Sequence, residues 1–316
     1  MTTQRNREAA LRHQDAARGA HRGAPWRPAP ALLASAALHV AAVPTLIAAP
    51  GAWGPVLAAL AANHLALGLL GLAPGGGWIG PSLTRLPPAA TGMVALTFDD
   101  GPDPEVTPRV LEILDRYGAR ASFFCIGHRA ALYPDLVRRI AACGHSVENH
   151  SHWHGGAFAA RPPWRIRREL VQAQAVLTVI TGRAPHFIRA PFGIRGPMLD
   201  PALAGTGLRH AGWTRRGRDT VCGVPATVLA RLTSALRSGD ILMLHDGGSA
   251  RTATGEPVVL AVLPALLDTI RAAGLRATSL PEAMDAAMDA PGAQAVRSPA
   301  APSAAWAAAS RATGTR

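Results

Sequence analysis

Val94-Ala95-Leu96-Thr97-Phe98-Asp99-Asp100-Gly101-Pro102-Asp103 is an apolar run that stops in two adjacent carboxylates and a Gly-Pro turn. A short apolar run bounded by turn residues reads as a buried strand. Neighbouring residues on a strand point to opposite faces, so a turn just past its end is what could bring Asp99 and Asp100 into one mouth. One carboxylate could then hold a metal while the other stays free as a base. Asp and Gly also favour ordinary turns, so taken alone the segment suits an acidic loop equally well.

Outward from this strand the chain alternates. A helix is expected from Val106 to Tyr117, with Pro108 in its first turn and Gly118 as its stop. A strand at Ala121–Ile126, a helix at Asp135–Ala142 ended by Gly144, and a short strand at His145–Glu148 follow. Next come a long helix at Trp164–Ile180 ended by Gly182, a strand at His186–Arg189, a helix at Pro201–Ala204 and a strand at Leu208–Trp213. Helix Ala226–Arg237, strand Ile241–His245, helix Val258–Ala273 and strand Leu275–Thr278 complete the series. Strict alternation implies parallel strands with right-handed crossovers. The expected fold is α/β, a distorted (β/α)7-8 barrel, with an open doubly wound sheet as the second choice.

The 316 residues, 48% of them hydrophobic, allow one large domain with appendages. The formal charge of +12 does not indicate nucleic acid: every basic residue is Arg, and no basic stripe is interleaved with stacking aromatics. Cys125, Cys143 and Cys222 are odd in number and form no CxxC pair, so they read as small buried hydrophobes. Residues 1–28 carry Arg5, Arg7, Arg12, Arg18, Arg22 and Arg27 without apolar periodicity, and a disordered basic arm is expected there.

No Asp, Glu, Lys or Arg lies between Arg27 and Arg85. Inside that gap Ala29–Ala49 and Trp53–Leu72 are each close to the ~20 helical residues that span a bilayer core of ~30 Å. Residues 29–74 are therefore read as a hydrophobic helical hairpin anchoring the chain in a bacterial-type cytoplasmic membrane, with membrane lipid as a partner. The preceding arginines favour a cytoplasmic N-terminus. Two spans would return the rest of the chain to that side and one would leave it outside; the sequence leaves both open. A linker over 75–91, a catalytic domain over 92–281 and a disordered tail over 282–316 complete the expected organisation. No obligate protein partner is indicated.

His150-Ser151-His152-Trp153-His154 lies just past the third strand. His150 and His154 are four apart, the spacing that sets two imidazoles on one face of a helical turn. Imidazole and carboxylate together suit borderline divalent metals. Asp100, His150 and His154 would give three protein ligands and leave positions for water and substrate. His152 and His145 are read as bystanders. A zinc protease would need Glu beside the first histidine, where Ser151 stands. Arg189, in Phe187-Ile188-Arg189-Ala190-Pro191-Phe192-Gly193, can hold a carboxylate by paired hydrogen bonds. Ile241-Leu242-Met243-Leu244-His245-Asp246 delivers an imidazole suited to proton donation near neutral pH, with Asp246 able to orient it. Asp99, Asp100, His150, His154, Arg189 and His245 all fall at the C-terminal ends of expected parallel strands, the face on which barrel active sites are built.

These four segments, in this order, resemble the polysaccharide deacetylase family (NodB homology domain, carbohydrate esterase family 4) over about residues 92–280. The resemblance implies a metal-dependent hydrolase that removes N-acetyl groups from amino sugars of a polysaccharide or cell-envelope glycan; the alternatives are deacylation or deformylation of a lipid-linked amino sugar at the membrane face, and a catalytically inactive carbohydrate-binding barrel. It implies Asp99 as general base, Asp100, His150 and His154 as metal ligands, and His245 as general acid. Arg189 would orient Asp99, and Asp219 is similar to a further acidic member that would pair with Arg189. The Phe192 N–H would serve the oxyanion, and Pro191, Trp213, Leu242 and Leu244 would line the substrate. Zn2+ is the first choice of ion, with Co2+, Ni2+ or Mn2+ admissible. Phe192 stands where the family usually has Tyr, Thr220 where it commonly has Trp, and Arg216 where an acid is common.

Overall fold

The computed structural model describes residues 26–72 and 77–289. Most of the expected basic arm, four residues after the second apolar stretch, and the tail from 290 onward lie outside the described residues.

Strand β1 (Met93–Asp99) is the axis of the domain, and Val94 through Asp99 are all buried. Strands β2 (Ser122–Cys125), β3 (Ser146–Asn149), β4 (Phe187–Ile188), β5 (Arg209–His210), β6 (Arg215–Arg216), β7 (Ile241–His245) and β8 (Arg276–Thr278) assemble around it. The order is β5-β4-β3-β2-β1-β7-β6, with β8 beside the first half of β1 below β2. Every pair between these strands is parallel. The sheet curls into a half-barrel covered by helices, as the alternation required.

Those helices are α3 (Thr107–Arg116), α4 (Gly127–Leu132), α5 (Pro134–Ala142), α6 (Pro163–Thr181), α7 (Leu199–Leu203), α8 (Pro225–Thr233), α9 (Val258–Ala272) and α10 (Leu280–Asp289), following α1 (Pro30–Ala48) and α2 (Trp53–Leu72). Helix α6 stops where expected: Gly182 takes the left-handed conformation, φ 71°, and its N–H closes on the Thr178 carbonyl at 2.8 Å.

Strand alternation sorts the core into two layers. On β1, Val94, Leu96 and Phe98 face the helices, where Phe98 stacks on Phe123 at 5.0 Å. Ala95, Thr97 and Asp99 take the opposite, inner face. Ala95 packs there with Phe124, Phe187, Ala211 and Ile241. The inner face therefore climbs from an apolar plug to a polar rim at the C-terminal strand ends.

Several boundaries differ from expectation. Only Arg209–His210 of the strand expected over Leu208–Trp213 forms, as β5, and β6 beyond it was not foreseen, because the backbone leaves one strand's edge and joins another's within a few residues. Helix α4 was not foreseen; its six residues are too few to show a period. The expected linker joins the barrel at Leu83, which pairs in parallel with Ala211 beside β5. The expected tail begins as α10, whose Leu280, Ala283 and Ala287 bury one face against the barrel.

Helices α1 and α2 are long and apolar enough to cross a membrane, joined through a turn at Pro50–Ala52. The Asn63 side chain donates to Ser35 Oγ at 2.9 Å, so one polar group of α2 is satisfied inside the hairpin. At the C-terminal end of α2, Gly71 meets the loop after β4: the Arg195 N–H donates to the Gly71 carbonyl at 3.0 Å, and a Cβ at Gly71 would come 2.4 Å from the Arg195 oxygen. The buried Arg195 guanidinium also donates to the Gly80 carbonyl (2.6 Å) and to Asp200 (3.3 Å), which receives the Trp26 indole N–H at 2.9 Å.

Candidate active site

Parallel register sets the site. Asp99 at the end of β1 lies opposite His245 on β7 and Phe124 on β2, and Asn149 at the end of β3 lies opposite Ile188 on β4. The strand ends thus converge on one cleft of about 520 Å³, whose walls include Asp99, Asp100, His150, His154, Trp213 and His245. The first expectation for these residues, that they share one mouth, matches the geometry.

Asp99 and Asp100 reach that mouth by a backbone device. Asp99 ends the strand on its inner face, and Asp100 takes φ 70°, which turns the next side chain back toward the same space. His150 and His154 do not sit on a helical turn, as their spacing suggested. Ser151 (φ 61°) and His154 (φ 50°) fold the segment back by left-handed steps instead. Asn149 Oδ1 accepts the Ser151 N–H at 2.9 Å, and Ser151 Oγ accepts the His154 N–H at 3.0 Å, which fixes that bend.

The result is a tight trio. His150 Nε2 and His154 Nε2 lie 3.1 and 3.0 Å from Asp100 Oδ1, and one ligand atom from each residue lies within 4.8 Å of the others. His150 Nδ1 is 2.8 Å from the Arg189 carbonyl, which can only accept. The Nδ1 proton is therefore committed, and in the neutral ring Nε2 presents a bare lone pair toward Asp100. Asp100 Oδ1 is buried and has no aligned hydrogen-bond donor. Burial would favour the neutral carboxyl; protonated imidazoles would override this and hold it well below the usual carboxylate range. A single cation among the three atoms satisfies the same lone pairs without charging both rings, and the nitrogen and oxygen donors suit a divalent transition metal.

Arg189 is fully buried and serves two partners at once. Its carbonyl orients His150, while its guanidinium donates to Asp99 Oδ1 at 2.6 Å and to Thr97 Oγ1 at 2.8 Å. The other guanidinium nitrogens reach the carbonyls of Ala211 (3.3 Å) and Gly212 (2.8 Å), and the Phe124 ring lies 4.2 Å beneath. A buried guanidinium is tolerated only with this degree of pairing.

Asp219 pairs with His245, not with Arg189. Its Oδ1 lies 2.9 Å from His245 Nδ1, and its Oδ2 accepts the His245 backbone N–H at 2.7 Å. Burial alone would lower the His245 pKa, but the hydrogen bond and charge of Asp219, with help from Asp99 and Asp100, raise it to about 9. The ring is thereby held with Nε2–H toward the cleft. Asp246 does not orient His245: it is buried, accepts the Thr107 hydroxyl at 2.6 Å, and has its pKa pushed up to about 7 by burial.

Leu242 and Leu244 are fully buried under the helices, because alternation on β7 gives the cleft to Met243 and His245. Pro191 is buried in the turn at Pro191–Gly193, and Phe192 beside it, at φ 58°, reaches the cleft with its ring 4.6 Å from His154. His145 and His152 stay outside the trio, packed on Phe123 and Trp153. Sequence reasoning missed Thr97, Phe124 and Met243; their parity with Asp99 and His245 on the same or paired strands was the available signal.

A parallel half-barrel with a carboxylate–imidazole trio that could hold a metal ion at its C-terminal mouth is an arrangement suited to hydrolysis. The polysaccharide deacetylase family model matches residues 87–211. A chitooligosaccharide deacetylase of Bradyrhizobium sp. (strain ANU 289) is 32% identical over 200 residues, 61% of this chain and 91% of that protein. One from Sinorhizobium fredii is 38% identical over 169 residues, 52% of this chain and 78% of that protein. Among solved structures, a family 4 acetyl xylan esterase from Clostridium thermocellum in complex with a cobalt ion aligns with TM-score 0.54 and 30% identity, over 61% of this chain and 90% of that one. The chain belongs to the polysaccharide deacetylase family.

Proposed function

We propose that this protein removes N-acetyl groups from amino sugars of a cell-envelope glycan, using a divalent ion held by Asp100, His150 and His154. The observation that carries the reading is the trio itself, with the His150 Nδ1 proton already committed to the Arg189 carbonyl. When bound, the ion would supply Lewis acidity toward the acyl carbonyl, and Zn2+ suits this ligand set best.

The chain's own residues divide the proton work. Arg189 occupies Oδ1 of Asp99, leaving Oδ2 to take the proton of the attacking water. The Phe192 N–H, on the lip of the cleft, donates to the developing oxyanion. His245, held by Asp219 at Nδ1, gives its Nε2 proton to the departing sugar amine. Asp99 and His245 are cross-strand partners, so base and acid flank one reacting carbon. The Trp213 ring offers an apolar wall for a sugar face.

The hairpin of α1 and α2 anchors the protein in a membrane. Arg195, which holds the end of α2, is three residues from Phe192, and this favours as a second reading the deacylation of a lipid-linked amino sugar presented at the bilayer. The test is acetate release from N-acetylated chitooligosaccharides by the purified full-length protein, with and without chelator. Chelation should abolish turnover and added Zn2+ restore it. Asp99→Asn should retain bound metal and lose roughly 10²–10⁴ in rate. Turnover indifferent to chelator, or unchanged in Asp99→Asn, would overturn the assignment.

A further inference from the structure

The cleft holds two arginines that the deacetylation chemistry does not use. Its acids are all committed: Asp99 to Arg189 at 2.6 Å, Asp219 to His245 at 2.9 Å, and Asp100 to the two imidazoles. Arg216 and Arg218 line the same cleft and are exposed. Among the described residues neither has an ion-pair partner; the one side-chain contact of Arg216 is with Trp213, whose ring centroid lies 5.8 Å from its guanidinium carbon. Arg215, on the other face of β6, is instead paired with Asp240 at 2.8 Å.

The backbone aims both side chains. Arg216 on β6 is the register partner of Met243, a cleft residue, so strand alternation turns Arg215 outward and Arg216 inward. Arg218 takes φ 58°, and its carbonyl closes a turn by accepting the N–H groups of Val221 and Cys222 at 3.2 and 3.0 Å. Gly or Asn adopts that conformation at lower cost. The next residue, Asp219, drops beneath to hold His245, which leaves Arg218 above the reacting end of the cleft.

We propose that Arg216 and Arg218 form an anion subsite, so that the substrate is an amino sugar bearing an oxyanion, phosphoryl or carboxylate, next to its N-acyl group. Guanidinium groups present planar paired donors that match both oxyanions. With the acids neutralised by their own partners, these two charges have no internal counterion, and a neutral glycan would leave them unused. Naming the ligand as a sugar rests on the deacetylase reading; the binding of the anion does not.

The experiment measures equilibrium binding to the full-length protein by calorimetry. The ligands are N-acetylglucosamine 1-phosphate, N-acetylmuramic acid and uncharged N-acetylglucosamine. The wild type should bind at least one charged sugar about tenfold more tightly than the neutral one, as charge-assisted hydrogen bonds predict. The preference should weaken in Arg216→Ala and Arg218→Ala, fall to near parity in the double variant, and shrink with added salt. Which charged sugar wins identifies the anion. Equal affinity for all three in the wild type, or a preference that survives in the double variant, would overturn the subsite. Acetate release followed in parallel separates the two readings: an anion preference without turnover on any N-acetylated sugar would sink the deacetylase and keep the subsite. Both side chains are exposed, so folding of the variants is checked by an unchanged melting curve.

Discussion

Replacing Asp219 by Asn should move the basic limb of the pH–rate profile by two pH units or more. The His245 ring is largely shielded from water, which by itself would favour the neutral imidazole, yet its pKa is raised to about 9 from the ordinary 6.5. That rise corresponds to roughly 3 kcal/mol of preference for the charged ring. Asp219 is its hydrogen-bonded partner and the nearest carboxylate, at 2.9 Å. Without this charge, burial wins and the ring titrates at or below about 6.5. At pH 8 the protonated fraction then falls from about 0.9 to about 0.03, and kcat/KM should drop about 30-fold, with recovery toward acid pH. A bound divalent ion shifts both limbs the same way, so the separation between wild type and variant is the quantity to read. The sign also reaches stability. A ring whose folded pKa lies above its unfolded value stabilises the fold fully below about 6.5 and loses that contribution as the pH rises through about 9. The assay is kcat/KM for acetate release from pH 5.5 to 9.5 in both proteins. Coincident basic limbs would refute the role of His245 as the acid tuned by Asp219.

Arg189→Met should unfold the domain more easily, by about 3–5 kcal/mol in denaturant titration, because it leaves Asp99 buried without its cation. The backbone carbonyl that orients His150 survives the substitution, so bound metal should be retained, and a variant that keeps wild-type stability would contradict the role of the guanidinium. His210 is buried, and burial with the charges of Arg195 and Arg189 lowers its pKa to about 3. Its folded value lies below the ordinary 6.5, so its stabilising contribution is complete above about 6.5 and fades as the pH falls. At pH 5 the loss is about 2 kcal/mol. Melting curves at pH 7 and 5 should therefore differ less in His210→Gln than in the wild type.

The barrel was legible because its central strands are buried on both faces and its helices have glycine stops: Gly118, Gly144 and Gly182 all fall where a helix ends. The trio was legible because three histidines within five residues leave few bland explanations. What escaped was chiefly side-chain direction, both in the loops beyond the strand ends and across the pleat of a strand. Asp219 was recognised as an acid of the site, but the turn at Arg218 decides that it meets His245. Leu242 and Leu244 belong to the recognisable segment, yet the pleat of β7 sends them under the helices and gives Met243 to the cleft. Helix α10 was hidden by an Ala- and Pro-rich composition that continues beyond it, although Leu280, Ala283 and Ala287 already mark one face.

The details set by the loops around the cleft share one cause. Among the described residues, six non-glycine residues adopt positive φ: Asp100, Ser151, His154, Phe192, Arg218 and Ala235. Four of them line the cleft, and a fifth, Ser151, caps His154. Each such residue costs on the order of 1 kcal/mol or more, and together they approach the whole margin of a typical domain. A fold selected only for stability would place Gly or Asn at these positions, and no sequence pattern announces left-handed Phe or Arg. Their concentration at the mouth follows from the problem the site solves. Strand ends deliver side chains in alternating directions, while the chemistry needs adjacent residues such as Asp99 and Asp100 aimed at one point. Left-handed steps are the shortest way to turn a side chain around, and the buried sheet beneath is what holds them.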